Sequence, residues 1–118
     1  MQYALLAYGR SNTLQDAAAP INDATAAVLA RPYVAGWARL HADESATTLR
    51  TSHGKTLLTD GPFVDSKEYL AGLILVEAEN LDEALAVAEE LQGPRSGGAI
   101  EVRPVVEGWF RGALRRLP

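Results

Sequence analysis

The chain has 118 residues, enough for a single hydrophobic core and too few for two, so no internal domain boundary is expected. Apolar residues make up 47% and charged residues 22%, which excludes a disordered chain, and the absence of cysteine excludes disulfides and thiolate metal sites. Eleven basic against fifteen acidic residues leave a net charge of −4, which argues against a nucleic-acid partner because phosphate binding needs a concentrated positive surface.

Residues 2–8 form an apolar run of strand length closed by Gly9, and nothing before them resembles the basic lead of a secretory signal or the length of a membrane span. No membrane partner is therefore expected, and the cytoplasm is the expected location. Residues 11–20 mix Ser, Asn, Gln, Asp and Ala and read as a loop. Helical spacing of Ile21, Ala24, Val28, Leu29 and Ala35 predicts a helix over residues 21–33, ended or kinked by Pro32, with Gly36 as a stop. Residues 37–41 alternate large apolar with polar side chains, the pattern of a half-buried strand.

After the polar break Asp43-Glu44-Ser45, residues 46–52 and 56–59 are predicted as a hairpin turning at His53-Gly54-Lys55. The turn Asp60-Gly61-Pro62-Phe63 follows. Residues 69–77 are the most apolar stretch, read as a central strand buried on both faces. Asn80 with Glu83 three residues on is a helix start, and Leu81, Ala84, Leu85, Val87, Ala88 and Leu91 form the apolar side of the helix up to Gly93-Pro94. Residues 99–107 alternate as a strand, with Pro104 marking an edge or a bulge. The tail, residues 108–118, places Phe110, Leu114 and Leu117 at helical spacing and predicts a short amphipathic C-terminal helix outside the domain of residues 1–107.

Strand, helix, strand, hairpin, strand, helix, strand is the βαββαβ order of a ferredoxin-like α+β sandwich with an extra hairpin. Two helices cover one sheet face in that architecture. The other face is open and apolar, a liability in a domain this small, so two chains are expected to pack sheet to sheet as a homodimer, a dimeric α+β barrel.

Asp60-Gly61-Pro62-Phe63, followed by Lys67-Glu68 and Gly72, resembles the signature of the YCII-related, DGPF-containing family of small bacterial proteins. Tyr3, Leu6, Tyr8 and Gly9 resemble that family's opening strand, and Ile100-Glu101-Val102-Arg103-Pro104 its last one. The resemblance spans most of the chain. It implies a dimeric ferredoxin-like barrel, little about activity, and an association of such proteins with alternative sigma factors. Relatives in the wider superfamily act on small cyclic or aromatic compounds through a proposed His/Asp pair, but no histidine precedes His41 here, so that pair does not transfer.

Two readings of the charged turn compete. In the structural one, Asp60 and Gly61 relieve a tight corner, Pro62 fixes a dihedral and Phe63 anchors the turn in the core. In the functional one, Asp60, Lys67 and Glu68 converge on a cleft where Asp60 or Glu68 moves a proton and Lys67 holds an anion. Glu101 and Arg103 share one strand face. They are expected to pair across strands with Lys67 and Glu68, or else Arg103 clamps a ligand carboxylate while Glu101 orients it. His41 ends a strand and is a candidate catalytic residue, His53 sits at a hairpin tip, and Tyr8 is a candidate ligand contact. No His-x-His or Glu-x-x-His spacing accompanies the histidines, so no metal is expected. With neither a Gly-x-Ser-x-Gly elbow nor a Gly-rich strand-to-helix turn, nucleophilic hydrolysis and dinucleotide binding are not expected, and no cofactor is expected.

The sequence thus leads to a small dimeric module that binds a small molecule or partner in a cleft near the DGPF turn. The alternative is an enzyme of isomerase, lyase or dehydrochlorinase type doing acid/base chemistry on a small organic acid or cyclic compound. In that reading Asp60, Glu68 and His41 carry protons and Lys67 and Arg103 contact the anion.

Overall fold

A computed structural model describes residues 1–10, 19–64 and 67–108. The predicted C-terminal helix over residues 109–118 and most of the predicted loop over residues 11–20 lie outside them. The elements are β1 (Gln2–Arg10), α1 (Asp23–Leu29), β2 (Val34–Arg39), a 3₁₀ turn (Asp43–Ser45), β3 (Thr47–Ser52), β4 (Lys55–Asp60), β5 (Glu68–Glu77), α2 (Leu81–Gln92) and β6 (Ala99–Pro104). Four strands form one antiparallel sheet in the order β2-β5-β1-β6, while β3 and β4 pair only with each other. This is the ferredoxin-like α+β arrangement, with the β3–β4 hairpin inserted between β2 and β5.

Alternation along the central strands decides which face the helices cover. Tyr3 and Leu5 on β1 stand opposite Val76 and Ile74 on β5, and all four are buried. They join Val28, Val34, Ala78, Ala84, Val87, Ala88 and Leu91 in one core, flanked by Ile100 and Val102 of β6. The intervening positions of β5, Leu73 and Leu75, are only half-buried, so the strand is covered on one face rather than both. Opposite them lie Leu6 and Ala4 of β1 and Ala38 and Gly36 of β2, which makes the second face of the sheet open and apolar along β2, β5 and β1, with Glu101 and Arg103 on it at the β6 edge.

The second helix starts at the Asn80 cap read from the sequence, and the first, expected from residue 21, starts at Asp23 behind an Asn22 cap. Asn22 accepts from the Thr25 amide at 2.8 Å and Asn80 from the Glu83 amide at 2.9 Å, each satisfying a donor that the first helical turn leaves unpaired. Glu83 reaches back to the amide of Glu79 at 3.4 Å, one residue before the cap. On α2 the buried set is Ala84, Val87, Ala88 and Leu91. Leu81 and Leu85 are 48% and 45% exposed, so the apolar stripe is narrower than the sequence suggested. Among the described residues no helix is long and apolar enough to cross a membrane.

The first helix departs most from expectation. It stops at Leu29 instead of running to residue 33, because the chain turns through Arg31 N–H to Val28 O at 3.1 Å and Val34 N–H to Arg31 O at 3.0 Å, with Pro32 unable to donate. Strand β2 begins at Val34, three residues early, and Gly36 lies within it beside a register irregularity rather than stopping a helix. Arg31 ties this turn to α2 through a bidentate pair with Glu90 at 2.5 and 2.9 Å. The Glu90 carboxylate, with the Tyr33 hydroxyl, raises the basicity of Arg31, and the guanidinium in turn holds the Glu90 carboxyl below its usual value.

In the hairpin, His53 and Gly54 both take positive φ, 51° and 75°, which suits the right-handed twist of a two-residue β-turn. Gly61 closes the far end: its amide donates to Ala46 O at 2.7 Å and its carbonyl accepts from Thr48 Oγ1 at 2.8 Å. Phe63 does not anchor the corner in the core. It is 71% exposed, and the Arg50 guanidinium lies over its ring at 5.8 Å.

Candidate functional site

A register break between Ala7 and Tyr8 interrupts the β1–β5 ladder, and a cavity of about 640 Å³ lies at that end of the sheet beside the DGPF turn. Its apolar walls come from Leu40, Ala42 and Ala46, from Pro62 and Val64 of the turn, and from Leu70 of β5. The polar groups are Tyr8, His41, Asp43, Ser45, Glu68 and Tyr69. Tyr8 alternates with Leu6 and Ala4 and stands opposite Leu70, so the cavity lies at one end of the open sheet face.

The segment after β2 is held to the body by Leu40 N–H donating to Ala71 O at 2.9 Å and by the buried Ala42, only 3% exposed. The 3₁₀ turn then folds back with Ser45 N–H on Ala42 O at 2.8 Å and Ala46 N–H on Asp43 O at 3.0 Å. His41 is fixed by the same geometry. Its Nδ1 accepts the Ala42 amide at 2.8 Å, with Ser45 Oγ at 3.4 Å, so in the neutral ring Nε2 carries the proton and is a donor.

The structure gathers Tyr8, His41 and Glu68 around one cavity. Asp60 ends β4, exposed and opposite Thr47, and Lys67 is exposed; neither lines the cavity. Glu101 and Arg103 lie away from it and pair with each other at 3.1 Å on β6. Their expected cross-strand partners, Lys67 and Glu68, cannot reach them by pairing, because β1 separates β6 from β5.

Sequence reasoning missed Asp43 and Ser45, which looked like a polar break, and Arg95, which looked like loop. Arg95 Nη2 donates to Tyr8 O at 2.5 Å and Nη1 to Gln92 Oε1 at 2.9 Å and Ala99 O at 3.3 Å, tying the α2–β6 connection to the cavity strand. Partial burial holds its basicity below the usual value, against the opposing pull of Glu68. A lone Arg between Pro94 and Ser96 carries no periodic signal, so only the fold reveals it.

On the helix side a second depression of about 310 Å³ has Arg39 and Arg95 in its wall, with Arg39 Nη1 donating to Ala19 O at 2.8 Å. Among the described residues no three His, Asp or Glu side chains are grouped to hold a metal ion.

Fold and cavity together define a small ferredoxin-like α+β protein with a ligand-sized hollow at one end of its open sheet face. The profile of the YCII-related domain matches residues 1–108, and the chain belongs to that family. It is 46% identical over 69 residues to the Uncharacterized protein R00369 of Rhizobium meliloti (strain 1021), a match covering 58% of this chain and 56% of that protein. The aligned part thus spans little more than half of that curated relative.

Proposed function

We propose that this protein is a homodimer that binds a small molecule in the cavity beside the DGPF turn. The observation that carries the reading is the cavity itself, which falls in the range of roughly 300–1,000 Å³ typical of small-ligand sites. It sets a few convergent polar groups, Tyr8, His41 and Glu68, into apolar walls. Filling it should abolish binding: Ala46→Trp is expected to weaken a weak neutral probe such as benzyl alcohol at least about tenfold, followed by amide chemical shifts of Tyr8, His41 and Leu70. Wild-type protein that shows no shifts there at millimolar probe would refute the ligand reading.

Dimerisation rests on the open face around Leu6, Leu73 and Leu75, whose burial against a second copy would remove apolar surface from water. Light scattering should give twice the 12.6 kDa of one chain, and Leu73→Asp should return the mass to one chain with the far-ultraviolet spectrum unchanged. A wild-type mass of one chain at micromolar concentration would sink the dimer.

The enzyme reading is favoured by one arrangement, the presence of Glu68 and His41 in the same cavity. There Glu68 would take a proton and the His41 Nε2–H would polarise the acceptor. Turnover lost in Glu68→Gln with ligand binding retained would move the protein into that class. Association with an alternative sigma factor is the partner that family resemblance implies, and co-purification checks it. A cytoplasmic location is part of the same proposal, and the lack of cysteine is compatible with it.

A further inference from the structure

We infer that the β3–β4 hairpin is a dimerisation arm, whose Leu49 and Leu58 face packs on a second copy of this chain. The inference rests on the homodimer proposed above and concerns which part of the chain completes its interface.

The register divides the hairpin into two faces. Thr47, Leu49 and Thr51 stand opposite Asp60, Leu58 and Thr56, while on the other side Arg50 stands opposite Leu57 and Ser52 opposite Lys55. The second face holds both cations of the hairpin, and Arg50 lies over the Phe63 ring. The first is threonine and leucine, with Asp60 at its base as its single charge. In an antiparallel ribbon such alternation ordinarily turns the apolar side to a core. Here that side faces outward: Leu49 and Leu58, directly paired, are 64% and 69% exposed.

Among the described residues nothing supplies the missing core. The hairpin pairs with no strand of the main sheet, and every residue of β4 is exposed. A two-stranded hairpin is marginal in water by itself and is held only when another layer packs on it.

A second copy fits that role on two counts. The first is area. The open sheet face is four strands wide and, at about 4.8 Å between strands and about 3.4 Å per residue over about six residues, measures roughly 400 Å² in plan. Each partner of a stable dimer hides about 800 Å². Leu6, Leu73 and Leu75 are moreover half-buried already, so the sheet face has little of each leucine left to hide. The second count is continuity. Pro62 and Val64, which follow β4, share the cavity wall with Tyr8 and Leu70 at the end of the open sheet face, so apolar surface extends from that face to the base of the hairpin. Under a two-fold axis each chain gives one arm and receives one, and the added burial counts twice.

The dimer dissociation constant of the full-length protein, measured by sedimentation across a dilution series, tests the arm. Leu49→Ser/Leu58→Ser should raise it at least about tenfold, whereas Leu57→Ser, the same change on the other face, should alter it less than about threefold. A second pair of variants leaves the leucines in place. Thr56 and Thr59 are both exposed on β4 and lie on opposite faces, so Thr56→Arg should weaken the dimer at least about tenfold and Thr59→Arg less than about threefold. Should the double serine variant not fold, the arginine pair decides alone. Equal effects from the two faces, or a dissociation constant unchanged in Thr56→Arg, would overturn the inference and leave the sheet-to-sheet dimer standing. Wild-type protein with the mass of one chain would remove the dimer and the inference together.

Discussion

Replacing Gly98 by alanine should cost the domain about 3–4 kcal/mol and lower its thermal midpoint by roughly 10–15 °C. Gly98 opens the turn into β6 with φ of +78°, and a Cβ built on it would lie 2.2 Å from Tyr8 O and 2.9 Å from Arg95 Nη2. The guanidinium can swing aside, but the carbonyl belongs to β1 in the middle of the sheet. Either β6 pulls away from β1 or the bond from Arg95 to Tyr8 O is lost, and the left-handed backbone adds its own strain of about 1 kcal/mol. Gly54 is the control. Its φ is nearly the same at +75°, yet nothing stands within 4 Å of its Cβ position, so Gly54→Ala should cost only about 1 kcal/mol. Urea melts placing the two variants within about 0.5 kcal/mol of each other would show that the close approach is absent.

Leu5→Ala should be comparably damaging, at about 3 kcal/mol and within the 2–5 kcal/mol range for emptying a full core position. Leu5 has no exposed surface, stands between Ile74 and Val102 in the sheet register, and faces the helices. Its neighbour Leu6 points to the open face and is half-buried, so Leu6→Ala should cost a single chain only about 1 kcal/mol. A stability of roughly 5–15 kcal/mol makes the difference readily visible in denaturant titrations. Equal losses at the two positions would mean that both sheet faces are packed within one chain.

The order of elements was legible because each central strand advertises itself locally. Residues 2–8 and 69–77 are continuous apolar runs, Asn80 and Glu83 mark a helix start, and His53-Gly54 is a turn that tolerates positive φ. The first helix was misread for an equally local reason. Alanine is the best helix former and continues the pattern through residue 30, so propensity alone does not locate the end that the turn at residues 30–33 imposes. Phe63 was misjudged because a large aromatic in a turn usually seeks the core, whereas the hairpin holds it out over Arg50.

The site was half legible. Tyr8, His41 and Glu68 were identified as residues able to bind or move a proton, but their meeting depends on β5 returning beside β1 and on a register break no composition announces. Asp60 and Lys67 neighbour the cavity in the chain yet lie outside its walls, since a turn separates sequence neighbours as readily as it joins them.

The sequence by itself determined the α+β class and the start of the second helix at its Asn80 cap. It also determined the strand alternation that leaves one sheet face apolar, because period, caps and turn residues act over a few positions. The tertiary structure decided which charged side chains line the cavity. Asp43 and Glu68 come from segments 25 positions apart, and Arg103, the expected anion clamp, stays on an edge strand paired with Glu101. Which charges face a common hollow depends on long-range strand pairing.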